Sequence, residues 1–139
     1  MSEQDKPAFT PGPWRWEVNR KGKQITLCGG TPTFDKTVMA FKRWGMSGAT
    51  PLFLTCTDGM HRIVPADNFA VIAPGREHHL SWFQLLNHPD ANLISAAPDL
   101  YAACKIFLAQ CRCVDIHHHG FGAAFDAACA AIAKAEGRT

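Results

Sequence analysis

Charged residues are scarce in this chain, and long apolar runs are missing. Asp, Glu, Lys and Arg make up 19% of the 139 residues, whereas apolar residues make up 47%. This balance is typical of a folded globular protein and excludes a disordered one. No apolar run approaches the roughly 18 residues that a membrane-spanning helix needs. The polar stretch at residues 1–6 leads us to expect no secretory signal, and therefore no membrane contact.

Motifs of common enzyme classes are also missing. No serine lies in a nucleophile elbow, no Walker loop is present, and Gly29-Gly30 is too short to cradle a phosphate. Six cysteines are present, but a chain that stays in a reducing compartment keeps its thiols free. We therefore predict a protein that is not an enzyme and that works without a cofactor.

The hydrophobic pattern predicts an α+β fold in one domain. We expect a flexible leader over residues 1–9 and a single domain over 10–139, with a sheet at about 13–73 and helices at about 76–136. Strand-like alternation precedes helix-like spacing along the chain. The predicted architecture is an antiparallel sheet of four or five strands followed by a C-terminal helical hairpin packed on one face of the sheet.

Local signals refine this prediction at several points. Asp58-Gly59 is typical of a tight hairpin turn. Trp82, Leu85 and Leu86 have the spacing of a short helix. Asn87 or His88 can cap a helix whose first residue is Pro89, and we expect Pro98 to break or restart that helix.

Basic and aromatic residues cluster in the front half of the chain. Residues 1–64 hold nine Lys and Arg against five acids, whereas residues 65–139 hold five against seven. Aromatic side chains beside Arg are typical of interface anchors and of platforms for single-stranded nucleic acid. In the other interpretation the early tryptophans Trp14 and Trp16 face the core and the charges only solvate the surface. The residues that we predict to bind a partner are Arg15, Lys21, Lys23, Lys42, Arg43, Trp44 and Met46.

Two clusters contain residue types that bind metals or carry protons. Cys113, His117 and His119 lie in a segment of thiols and imidazoles, which are zinc ligands, but the spacing is not that of a zinc knuckle. A polar loop between helices explains the same residues. The second cluster can form an acid–base pair, or it can consist of surface and capping residues. It contains Glu77, His78, His79, His88 and Asp90.

Two segments and the C-terminus together resemble a known group of sequences. Thr10-Pro11-Gly12-Pro13-Trp14, the stretch at 91–100 (ANLISAAPDL) and the ending at 130–138 resemble the opening, the internal signature and the finish of small phage and prophage accessory proteins. Residues 28–88 carry no part of the resemblance, and the Cys/His segment at 111–119 departs from it. The resemblance implies a mobile genetic element and the host bacterial cytoplasm. Small phage proteins of this kind include inhibitors of host machinery, such as anti-CRISPR proteins.

These observations lead to one expected function and two alternatives. We expect a non-enzymatic phage or prophage protein that binds a host protein or protein complex, with inhibition of a host defence system as one role. The alternatives are a nucleic-acid-binding protein that uses the same basic-aromatic face, and a small zinc-binding protein. The alanine-rich helices also make a homodimer plausible.

Overall fold

A computed structural model describes residues 8–30, 35–75, 77–79, 84–112 and 121–138. The chain divides into two compact units, Met1–Leu93 and Ile94–Thr139. Within the described residues, the first unit holds a five-stranded antiparallel sheet in the order of the sequence. Its strands are β1 (Trp14–Asn19), β2 (Gln24–Gly29), β3 (Lys36–Trp44), β4 (Gly48–Thr57) and β5 (Met60–Pro65).

The turn between β4 and β5 shows why neighbouring strands pair. Asp58 has φ 51° and Gly59 has φ 75°, and the flanking Thr57 and Met60 lie opposite each other. Positive φ at both central residues matches the twist of a two-residue hairpin. The turn predicted from Asp58-Gly59 is confirmed.

A small second sheet follows the large one. A 3₁₀ helix at Ala66–Phe69 leads into β6 (Ala70–Ile72), which pairs antiparallel with β7 (Gln84–Leu86). The helix predicted from Leu85 and Leu86 is wrong, because backbone pairing with β6 prevails over a spacing that spans barely one helical turn. The third residue of that prediction, Trp82, lies outside the described residues.

Two helices follow, α1 (Pro89–Cys111) and α2 (Gly122–Ala135). The helices thus begin at 89 rather than at about 76, and Glu77–His79 forms only a 3₁₀ turn. The break predicted at Pro98 is also wrong, since α1 is continuous through it over 23 residues. Pro98 has no backbone N–H and therefore removes one hydrogen bond of the helix. A proline can kink a long helix at this point without ending it. The α+β class, with a five-stranded antiparallel sheet followed by two C-terminal helices, is confirmed.

His88 connects the start of α1 to the sheet. Its Nδ1 accepts a hydrogen bond from the backbone N–H of Asp90 (3.1 Å), and its Nε2–H donates to the carbonyl of Leu54 (2.9 Å). The ring stacks on Phe53 at 4.9 Å between centroids and meets Phe69 edge-on at 4.7 Å. His88 is therefore a capping residue, as one of the sequence interpretations held, and its two ring nitrogens have different roles, since Nδ1 accepts and Nε2 donates.

Asp90 holds the N-terminal segment of the described chain. Its carboxylate is 1% exposed and accepts hydrogen bonds from the backbone N–H and the hydroxyl of Thr10. The carbonyl of Thr10 in turn accepts from the indole N–H of Trp14 (2.9 Å). The segment passes so close to β2 that a Cβ on Gly29 would lie 2.9 Å from the carbonyl oxygen of Pro11. Glycine is therefore required at that position by the close approach of the backbone.

We expect the substitution Asp90→Ala to destabilise the protein. It leaves the two donors of Thr10 without an acceptor, and a buried unpaired donor costs about 1–3 kcal/mol in the free energy of unfolding. Urea denaturation followed by tryptophan fluorescence measures the loss. The matched control is Asp99→Ala at an exposed position of α1, which should change stability by less than about 0.5 kcal/mol. Equal stability of the two variants would contradict this account of Asp90.

We also expect Gly29→Ala to destabilise the sheet. The added methyl group lies 2.9 Å from both Pro11 O and Val38 Cγ2, and such overpacking costs about 1–3 kcal/mol. The control is Gly122→Ala at the start of α2, where a Cβ meets nothing within 4 Å and should be neutral or stabilising. Thermal unfolding followed by circular dichroism compares the two variants. A Gly29→Ala variant as stable as the native chain would show that the N-terminal segment moves away from β2 at no cost, and would contradict this prediction.

Candidate functional site

The order of the strands brings two basic turns to the same end of the sheet. In an antiparallel meander successive turns alternate between the two ends, so the β1–β2 turn and the β3–β4 turn lie at one end. The first turn carries Arg20, Lys21 and Lys23, and the second follows Lys42 and Arg43. We call this set the basic end, and it comprises Arg20, Lys21, Lys23, Lys42, Arg43, Trp44 and Met46. Six of the seven residues predicted to bind a partner lie here.

The aromatic and sulfur-containing side chains of the basic end are exposed. Trp44 is 58% exposed and Met46 is 93% exposed. Lys42 and Trp44 lie on one face of β3, because side chains alternate along a strand, and Arg43 lies on the other. Trp44 and Met46 are therefore accessible to solvent, and their contact with a partner stays a prediction.

Arg43 has a second role in the β3–β4 turn. Its Nε–H donates to the carbonyl of Gly45 (3.1 Å), and its Nη2 donates to the carbonyl of Met46 (3.4 Å). Gly45 has φ 69°, a conformation that glycine adopts without strain. The guanidinium therefore braces the turn that presents Met46, and it keeps donors free because it has five N–H groups.

The basic end contains no carboxylate. Between Glu17 and Asp58 the sequence holds one acid, Asp35, and that residue pairs with Arg15 instead. In the part of the chain that the structure describes, none of the five cations of the basic end forms an ion pair with Asp or Glu. Among the described residues, therefore, no paired carboxylate offsets their positive potential.

An apolar patch adjoins the basic end on one face of the sheet. Val18 lies opposite Ile25, and Trp16 lies opposite Leu27, which pairs with Met39. Opposed residues share a face, and so do residues two apart on one strand, which places Phe41 and Arg43 on this face as well, whereas Lys42 and Trp44 lie on the opposite face. We call Trp16, Val18, Ile25 and Phe41 the apolar patch, and they are 56%, 62%, 50% and 46% exposed.

Sequence reasoning missed most of the apolar patch. It left Trp16 open between core and surface, and it did not single out Val18, Ile25 or Phe41. Alternation shows which residues share a face, but it does not show which face is covered. The only signal in the sequence was the basic turn beside these residues.

Arg15 lies apart from the other predicted residues. Arg15 lies opposite Cys28 of β2, and Cys28 lies opposite Thr37 of β3. Trp44 comes seven residues after Thr37 on β3. At about 3.3 Å per residue, roughly 20 Å therefore separates Arg15 from Trp44 along the strand direction. Its Nη2 forms ion pairs with Glu17 (2.8 Å) and Asp35 (2.7 Å). The structure therefore gives Arg15 local partners instead of a place in the basic end.

The surroundings of Arg15 contain three groups of metal-ligand type. Ligand atoms of Glu17, Cys28 and Asp35 lie within 4.8 Å of one another. Burial raises the pKa of the Cys28 thiol, and the carboxylates of Glu17 and Asp35 raise it further. A protonated thiol is a poor ligand, and Arg15 already pairs with both carboxylates. The arrangement therefore serves a local ion-pair network.

The other candidate sites of the sequence have different outcomes. The zinc ligands proposed there, Cys113, His117 and His119, lie outside the described residues, so that site stays a prediction. His88 and Asp90 are taken up by contacts of the fold. Glu77 accepts a hydrogen bond from the backbone N–H of Gly75 (3.1 Å), and hydrogen bonds from backbone N–H groups hold the pKa of its carboxyl below the usual value.

Comparisons with known proteins indicate which family the chain belongs to. No helix among the described residues is long and apolar enough to cross a bilayer. The chain matches no curated protein and no solved structure. A family profile, described as Salmonella phage P22 protein Y8K6, matches residues 1–139. The phage origin that the resemblance implied is thereby supported, whereas its motifs stay a prediction, and the chain belongs to the family of Salmonella phage P22 protein Y8K6.

Proposed function

We propose that this phage protein is a non-enzymatic accessory protein that binds an acidic surface of a host protein through the basic end and the apolar patch. The observation that carries the proposal is the exposure of five cations, none of which pairs with a carboxylate among the described residues, at the end of a sheet that exposes the apolar patch on one face and Trp44 on the other. Cations of one sign at the rim favour encounter with an acidic partner. Buried aromatic side chains supply most of the affinity once contact is made.

The two turns suit this role in different ways. Lys21, Lys23 and Lys42 are flexible point charges, which contribute to the rate of association more than to affinity. Trp44 offers a large rigid side chain at low entropic cost, and Met46 adapts its shape to the partner. Arg43 fixes the turn, so that less conformational entropy is lost on binding.

No reaction is assigned to the protein under this proposal. The polar residues that suggested acid–base chemistry, His88 and Asp90, have hydrogen-bond partners within the fold. The partner that we favour is a host protein complex in the bacterial cytoplasm, with a defence complex as one candidate. Self-association through the helices is compatible with this role.

A nucleic-acid partner is the second candidate. Trp16 and Phe41 on one face of the sheet, and Trp44 on the other, are exposed aromatic rings. Base stacking beside basic residues is how single strands are bound without sequence preference. We favour the protein partner because half of the apolar patch is aliphatic. Val18 and Ile25 offer no ring on which a base could stack.

We expect charge reversal at the basic end to abolish binding to the host partner. The chain is immobilised, host lysate is passed over it, and captured proteins are identified by mass spectrometry for the native chain, Lys42→Glu and Trp44→Ala. The matched control is Arg62→Glu, which makes the same charge change on β5. A protein with an acidic surface should be captured by the native chain and by Arg62→Glu only. Measured with that purified protein, Trp44→Ala should weaken affinity about 30-fold or more, as hot-spot residues do.

A protein captured equally by all four forms would refute the location of the surface. If Lys42→Glu and Arg62→Glu weaken capture to the same extent, the partner is attracted by net charge alone, and the proposed surface is refuted. Circular dichroism of each variant confirms that binding is compared between folded proteins.

We expect only weak binding to nucleic acid. Fluorescence anisotropy with a labelled 20-nucleotide single strand should give an apparent Kd no tighter than about 1 μM at 150 mM salt, the range of non-specific attraction. Tighter binding that falls steeply between 50 and 200 mM salt, and that Trp44→Ala weakens, would overturn the protein-partner proposal in favour of the second candidate.

A further inference from the structure

A groove lies between the two helices of the second unit. It has a volume of about 360 Å³ and is lined by Lys105, Leu108, Ala109, Arg112, Cys129, Ile132 and Arg138. Lys105 and Leu108 lie at i and i+3 on one face of α1, and Arg112, directly after the helix, continues this spacing at i+7. Cys129 and Ile132 lie at i and i+3 on α2. The floor is apolar, since Leu108 and Ile132 are buried. The groove therefore combines an apolar floor with three cations.

Glu136 positions two of those cations. Its carboxylate forms ion pairs with Lys105 (3.7 Å) and with Arg138, and it accepts a hydrogen bond from the hydroxyl of Tyr101. The hydrogen bonds from Tyr101 and Arg138 hold the pKa of the Glu136 carboxyl below its usual value. The carboxylate is therefore ionised at neutral pH, and among the described residues its single charge stands against the three cations that line the groove.

The backbone turn at the end of α2 brings Arg138 to the groove. Gly137 has φ 70°, and the backbone N–H groups of Gly137 and Arg138 donate to the carbonyls of Lys134 and Ala133. These bonds form a Schellman motif, which reverses the chain direction over the helix end. Arg138 thus faces the groove from a fixed backbone position.

Arg112 has no carboxylate partner among the described residues. It lies directly after the last residue of α1, where a cation also opposes the helix dipole. The dipole explains a preference for positive charge at that position. It does not explain why Lys105, near the middle of the helix, and Arg138, from the other helix, line the same groove.

We propose that this groove binds a small organic molecule that carries a phosphate group. Arg112, which pairs with no described carboxylate, can bind phosphate oxygens with two parallel hydrogen bonds. Arg138 already directs its Nε–H and Nη2 to Glu136 and would add hydrogen bonds from Nη1, and the apolar floor would contact the organic part. The volume lies near the lower bound of small-molecule sites, about 300–1,000 Å³. The proposal rests on the second unit alone and does not depend on the basic end of the sheet.

Isothermal titration calorimetry with AMP, adenosine and inorganic phosphate tests the proposal on the full chain. We expect saturable binding of AMP, at least tenfold weaker binding of inorganic phosphate, and no measurable binding of adenosine. Phosphate binding as tight as that of AMP would overturn the organic part of the proposal. Adenosine binding as tight as that of AMP would overturn the role of the cations, and absence of AMP binding would overturn the site.

Substitutions locate the site on the helices. Arg112→Gln and Arg138→Gln should each weaken AMP binding at least tenfold, whereas the control Arg62→Gln on β5 should leave it unchanged. Far-UV circular dichroism should show unaltered helix content in all three, because the three side chains lie at the surface. AMP binding that persists in both Arg112→Gln and Arg138→Gln would place the ligand elsewhere and refute the assignment.

Discussion

The first unit depends on one buried carboxylate. Asp90 is 1% exposed, and burial of a charge is costly unless its oxygens are satisfied by donors. Both oxygens are satisfied by Thr10, 80 positions earlier in the chain. His88, two positions before Asp90, donates a hydrogen bond to the carbonyl of Leu54 on β4. This pair of polar residues therefore connects the N-terminal segment, the sheet and the start of α1.

The Thr10–Asp90 contact gives a physical meaning to the sequence resemblance. The segment Thr10-Pro11-Gly12-Pro13-Trp14 begins with the residue that donates to Asp90, and Asp90 directly precedes the stretch at 91–100. The contacts of Trp14 with Thr10 and of Pro11 with Gly29 hold the segment against β2. The first of these stretches is thus hydrogen-bonded to the residue that directly precedes the second.

Local chemistry predicted the turns and the class of fold better than it predicted helix limits. Asp58-Gly59 and the cap at His88 depend on backbone conformation within a few residues, so the sequence contains the whole signal. The continuity of α1 through Pro98 and the pairing of β7 with β6 depend on contacts that short spacing patterns do not contain. The Thr10–Asp90 contact could not be predicted for the same reason, since nothing in either residue type points to a partner so distant in sequence.

The sequence predicted which residues the candidate surface contains, but it did not predict how they are arranged on the sheet. Charge counting identified Lys21, Lys23, Lys42 and Arg43, but only the meander order places the first two beside the last two and leaves Arg15 at a distance. The carboxylates explain the difference. Arg15 has Glu17 and Asp35 within ion-pair distance, whereas the basic end has none. A carboxylate neighbour cancels much of the field of a cation locally, so the position of unpaired charges matters more for a partner than the number of charges. The same reasoning applies to the groove of the second unit, where Glu136 pairs with Lys105 and Arg138, and Arg112 is the cation without a carboxylate partner among the described residues.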